Sequence, residues 1–158
     1  MPNRIQWESD LDLALSMARV QEKQVMLDFF NPGCSACRQM DAGTYPDPNI
    51  VKLVHDHLIA VRVRIQSNPV LAQRFAVQYT PTVVILDDDG KEHHRSVGAL
   101  PPQDFIPSLL LGIGKAHYEN RRFKKSGKVL QELLSAYPQS RWTAEASNLK
   151  RAADKLSH

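Results

Sequence analysis

Six residues, Val25 to Phe30, are apolar at every position except Asp28, and the run stops at the breakers Asn31-Pro32-Gly33. A segment this short that is apolar on both alternating faces reads as a strand covered on both sides, as in the parallel sheets of α/β folds. Immediately after the breakers comes Cys34-Ser35-Ala36-Cys37, leading into a helical stretch, Arg38 to Ala42. These are the only two cysteines in the chain, too few for a disulfide scaffold and spaced for metal or redox chemistry.

The remaining pattern alternates helix and strand. Ser9-Asp10 caps an amphipathic helix over 11–24, and Tyr45-Pro46-Asp47-Pro48 separates the helix that follows Cys37 from another over 49–57. A strand is predicted over 58–65, a short helix over 68–75, and a hairpin from Thr82–Leu86 through Asp87-Asp88-Asp89-Gly90 to Lys91–Val97. Pro101-Pro102-Gln103-Asp104 opens a helix to about Leu111. The order α-β-α-β-α-β-β-α describes an α/β mixed central sheet flanked by helices, parallel where helices separate the strands and antiparallel at the late hairpin.

From Ile113 the character changes. Residues 1–112 carry 10 Lys or Arg against 13 Asp or Glu, whereas residues 113–158 carry 10 against 4. Three helical stretches are predicted there, over 113–123, 124–136 and 142–155, so the chain is expected to divide into 1–112 and a basic, all-helical extension, 113–158. No run of about 18 apolar residues occurs, and no membrane span is expected. The N-terminal Met-Pro-Asn-Arg soon reaches Glu8, Asp10 and Asp12, which does not read as a secretory leader, so the expected location is cytoplasmic.

A first cysteine at a helix N-terminus meets unpaired backbone N–H groups that favour its thiolate, so Cys34 is the expected nucleophile. Cys37, one turn later on the same face, is placed to resolve a mixed disulfide. Asp28 stands where a Val or Ile would be ordinary. A carboxyl there is costly unless paired or raised in pKa, and next to a dithiol it reads as an acid that handles the Cys37 proton. Zinc usually takes four ligands. His55, His57, His93 and His94 have no evident route to Cys34, so no metal and no cofactor are expected, with His93-His94 exposed beside the turn and His117 at the surface or in packing.

Asp28-Phe29-Phe30 with the following Cys34-x-x-Cys37 resembles the active-site strand and turn of thioredoxin. Thr80-Pro81-Thr82 resembles that family's cis-proline segment, and Val97-Gly98-Ala99-Leu100 its terminal glycine turn. Together these matches span residues 5–112. The resemblance implies a thioredoxin fold and a protein-disulfide reductase, with Thr80, Pro81, Gly33 and Gly98 at the substrate groove. It also implies a protein disulfide as substrate and a thioredoxin-reductase-like or other electron donor. The chain departs from the family at Gly33 and Phe30, where Trp is common, and at Ser35-Ala36, where Gly-Pro is. Residues 40–48 are similar to the insertion in bacterial thiol:disulfide interchange proteins.

In the extension, Ala116 to Ser126, Leu130, Leu133-Leu134 and Tyr137-Pro138 resemble one tetratricopeptide repeat, with Arg121 at the usual Gly. A single repeat cannot bury its own apolar face. Its charge suits an acidic protein partner or self-association, and Arg121, Arg122, Lys124, Lys125 and Lys128 lack the aromatic interleaving of a nucleic-acid surface. A second reading of the whole is a thioredoxin-like binding module or redox sensor whose helical tail recruits a partner.

Overall fold

The computed structural model describes residues 1–157. The buried run becomes β2 (Gln24–Phe30), the middle strand of five. It pairs in parallel with β3 (Leu58–Arg64) and antiparallel with β4 (Thr82–Leu86). Beyond β3 lies a parallel two-residue strand, β1 (Trp7–Glu8), and beyond β4 the antiparallel β5 (Glu92–Val97), giving the order β1-β3-β2-β4-β5. Val25, Leu27 and Phe29 point into one apolar core with Val61, Val63, Val84 and Leu86, packed with Leu11, Ala14 and Ala18 of α1 (Leu11–Gln21). Met26 and Asp28 face the other way and are equally buried, so both faces of β2 are covered.

Two expectations about the sheet are corrected. β4 is not parallel to β2 although a helix, α4 (Pro69–Arg74), separates it from β3. The connection carries the chain from one side of β2 to the other and reverses its direction. His93 and His94 are buried rather than exposed, at 7% and 8% relative accessibility. The reason is Asp87, whose Oδ1 accepts the N–H groups of Asp89 and Lys91 while Oδ2 lies 2.7 Å from His93 Nε2, drawing the imidazole in beneath the hairpin turn.

The chain forms two compact units, Met1–Pro102 and Gln103–His158. The second contains nearly all of α5 (Pro102–Glu119), then α6 (Phe123–Ala136) and α7 (Thr143–Leu156). The two helices expected over 101–111 and 113–123 are one continuous α5, so the boundary expected after residue 112 falls inside a helix. Gly112-Ile113-Gly114 costs helix propensity. Close packing of α6 offsets that cost: a Cβ at Gly114 would stand 2.6 Å from Cδ2 of Leu130, and the Ser126 hydroxyl donates to the Gly114 carbonyl at 2.8 Å. Ring contact of Tyr118 with Phe123 closes the turn between them.

Within that turn Arg121 adopts φ 63°, while Arg122 N–H donates to the His117 carbonyl at 2.8 Å. This left-handed helix end is the place where glycine avoids a Cβ clash. Arg121→Gly should therefore raise stability by about 0.5–1 kcal/mol, the relief of the left-handed strain exceeding the added entropy of the unfolded chain. The check is a urea midpoint at neutral pH, which must rise with an unchanged slope.

Candidate active site

The dithiol turn is built by the breakers that end β2. Cys34 N–H donates to the Asn31 carbonyl at 3.2 Å, and Arg38 Nη1 donates to the Pro32 carbonyl at 3.1 Å. Gly33 is exposed and a Cβ there would meet nothing within 4 Å, leaving the approach to Cys34 open. Cys34 then caps α2 (Ser35–Gln39): its Sγ accepts the Cys37 N–H at 3.1 Å. Both cysteines are reduced, Cys34 half-buried and Cys37 almost closed off at 2% accessibility.

The opposite wall is the segment before β4. Cys34 Sγ lies 3.3 Å from the Thr80 carbonyl, and the Thr80–Pro81 peptide is cis. Thr82 Oγ1 donates to the Tyr79 carbonyl at 2.7 Å, while Gly98 N–H donates to the Pro81 carbonyl at 2.8 Å. Gly98 has φ 92°, a conformation that glycine adopts without strain, so it aims its N–H at Pro81. Thus Cys34, Cys37, Thr80, Pro81 and Gly98 are brought into one hydrogen-bonded cluster.

Asp28 sits in a second cluster on the strand that leads into the turn. It is 1% accessible, and its register partner on β3 is Arg62, whose Nε stands 3.3 Å from Asp28 Oδ2. Arg62 also reaches the exposed Asp41 with Nη2 at 2.6 Å. The guanidinium is flanked by the rings of Phe30, Trp7 and Tyr45, at 4.4, 5.2 and 5.8 Å from their centroids. Trp7 meets Tyr45 edge to face at 5.0 Å. Sequence reasoning missed Arg62, Tyr45 and Trp7. The available signal was the pairing of β2 with β3, which sets the buried acid beside a base.

One segment supplies both clusters. After α2 the helix widens into a single π turn, Met40–Thr44, closed by Tyr45 N–H on the Met40 carbonyl at 2.9 Å. That extra residue turns Met40, Thr44 and Tyr45 inward and leaves Asp41 at the surface. Met40 Sδ accepts the Leu100 N–H at 3.2 Å and Thr44 Oγ1 donates to the Leu100 carbonyl at 2.6 Å, holding the segment to the chain beyond β5. Next, Asp47 caps α3 (Pro48–His57).

The electrostatics divide the two thiols. Burial pushes Cys34 up, but hydrogen bonds involving the Cys37 and Thr80 side chains and the N–H groups of Cys37 and Ala36 outweigh it, so the group lies below the ordinary thiol value. For Cys37, burial and then the neighbouring Cys34 sulfur push the value to about 11. Burial likewise raises Asp28 to about 6, against the opposing pull of Arg62 and the Tyr45 hydroxyl. The dithiol cluster therefore pairs a half-buried sulfur held below the ordinary thiol value with a shielded one raised above it, and the separate cluster on β2 holds a buried acid raised to about 6.

Comparison with known proteins agrees with this arrangement. Residues 11–111 match the family model described as a thioredoxin-like domain. The thiol:disulfide interchange protein DsbD of Photorhabdus laumondii is 30% identical over 84 residues, which make up 51% of this chain but only 15% of that protein. Among solved structures, a thioredoxin from Thermus thermophilus superposes with a TM-score of 0.61 at 27% identity, covering 67% of this chain and 85% of its own. The structure of a DsbH oxidoreductase shares the fold, with a TM-score of 0.55 at 21% identity over 78% of this chain and 85% of its own.

Proposed function

Because the chain belongs to the thioredoxin-like family, we propose that it is a thiol:disulfide oxidoreductase that reduces protein disulfides with Cys34 and Cys37. The observation that carries the reading is the half-buried Cys34 sulfur, which accepts the Cys37 N–H and faces Thr80, beside a Cys37 thiol that is shielded from solvent. A thiolate so placed can meet a substrate sulfur while its partner waits underneath.

The reaction then runs in two exchanges. Cys34 thiolate attacks one sulfur of the substrate disulfide, forming a mixed disulfide and releasing the other substrate sulfur as a thiolate that takes up a proton. Cys37, once deprotonated, attacks Cys34 Sγ, which frees the second substrate thiol and leaves a Cys34–Cys37 disulfide. Two electrons pass from the dithiol to the substrate, and an external dithiol donor restores them. Asp28 is the group proposed to take the Cys37 proton, since its buried carboxyl is half-ionised near pH 6. Thr80, Pro81, Gly33 and Gly98 line the proposed substrate groove.

Direction depends on the compartment, and in a reducing one such as the cytoplasm the dithiol acts as a reductant. In the second unit, the α5–α6 hairpin with its Tyr118–Phe123 contact supports reading residues 116–138 as a tetratricopeptide-like element. The test of the main reading is catalysis of insulin reduction by dithiothreitol. Wild-type protein should shorten the lag before insulin precipitates, and an unchanged lag would refute the proposal.

A further inference from the structure

We infer that the groove at the α5–α6 turn is a docking site for an acidic peptide segment that carries an apolar side chain. The groove, of about 500 Å³, is lined by Arg121, Arg122, Lys124 and Lys125, with Phe123 and Leu156 as its apolar part. Among the described residues, no acidic one lines it. Elsewhere in this unit two lysines are paired, Lys115 with Glu145 at 3.0 Å and Lys150 with Asp154. Among the described residues, the four groove cations make no ion pair; Arg122 donates to His117 Nδ1 at 3.1 Å, and Arg121 stacks on the Phe123 ring at 5.5 Å.

Like charges this close repel one another, and the cost falls when an anion enters. The first turn of α6 adds to the same field: it contains no acidic residue, and Arg122 at its cap supplies no side-chain acceptor. A carboxylate is the complementary group. Exposed pairs of this kind contribute little individually, so the apolar part of the groove decides the class of partner. Leu156 is 48% accessible and lines the groove together with the half-buried Phe123. A nucleic-acid backbone would leave both uncovered. A peptide with acidic residues around a leucine or phenylalanine would satisfy the cations and cover the apolar surface. This inference is independent of the redox reading, since it uses none of the residues around Cys34.

The experiment uses the full chain and a fluorescein-labelled decapeptide of Asp and Glu with one central Leu, followed by fluorescence anisotropy. Lys124→Glu/Lys125→Glu should weaken binding at least tenfold, raising NaCl from 50 to 500 mM should weaken it at least tenfold, and a Ser in place of the peptide Leu about fivefold. Both lysines are exposed, so insulin reduction by the double variant should equal that of wild type, which reports correct folding. Should that variant fold poorly, Arg121→Gln is measured instead, with a threefold loss expected. The inference is overturned by no binding of the acidic peptide, by binding that survives charge reversal, or by tighter binding of a thymidine decanucleotide or of phosphatidylglycerol vesicles than of the peptide.

Discussion

Insulin reduction by the Cys34→Ser protein is expected to fall more than about 1000-fold, to the rate of dithiothreitol alone, because a serine hydroxyl cannot serve as the leaving sulfur or the attacking thiolate. Cys37→Ser should behave differently. Its Cys34 still attacks, but nothing resolves the product, so a mixed disulfide with an insulin chain accumulates and is visible by mass spectrometry. The asymmetry follows from the environments already described: Cys34 lies below the ordinary thiol value, while Cys37 at about 11 is ionised only to about one part in 10⁴ at pH 7. The reverse result, trapping by Cys34→Ser and loss by Cys37→Ser, would exchange their roles.

Asp28→Asn should stabilise the reduced protein by up to about 3 kcal/mol at pH 8, which corresponds to the rise of the carboxyl from 3.8 to about 6. Folded protein keeps this proton between pH 4 and 6 while the unfolded chain has lost it. Wild-type stability therefore decreases as pH rises through that window, and above it the full cost of a buried carboxylate is present. Asparagine has no such cost, so the gain shrinks as pH falls and vanishes below about pH 4. Loss of the Asp28 charge leaves Arg62 its contact with Asp41, which limits the opposing penalty. Urea denaturation of both reduced proteins at pH 4 and pH 8 measures the difference. A gain that is equal at the two pH values would show that Asp28 is not the titrating group. The same variant should release the second substrate thiol more slowly, separating a stabler fold from a slower enzyme.

Much of this was legible because a few residues admit few interpretations. An apolar run that stops at Asn31-Pro32-Gly33 and continues as Cys-x-x-Cys can be placed in a sheet without further knowledge, and Asp28 stands out within it as the one polar residue. Other features depend on contacts distant in the chain. Two residues, Trp7 and Glu8, make a strand only because β3 offers them an edge. The direction of β4 depends on how the chain crosses β2, which periodicity does not encode. His93 and His94 look like surface residues until Asp87, across the hairpin, is seen to draw one of them in. Arg62 alternates with apolar neighbours as any solvent-facing base would, and its half-buried place among three rings emerges only from the pairing of β2 with β3. The helix expected to stop near 112 continues because α6 fits against a glycine, a tertiary reason that overrides propensity.

The enclosure of Arg62 has a consequence for how the chain responds to its medium. A guanidinium that is only about one fifth exposed, held between two carboxylates and lined by aromatic rings, is screened less by mobile ions than the exposed lysines of α6 are. Added salt should thus alter the Asp28–Arg62 pair less than it weakens the acidic-peptide attachment proposed at the other unit. Ionic strength would then act as a selective solvent control, loosening the proposed peptide contact while largely sparing the buried acid on β2.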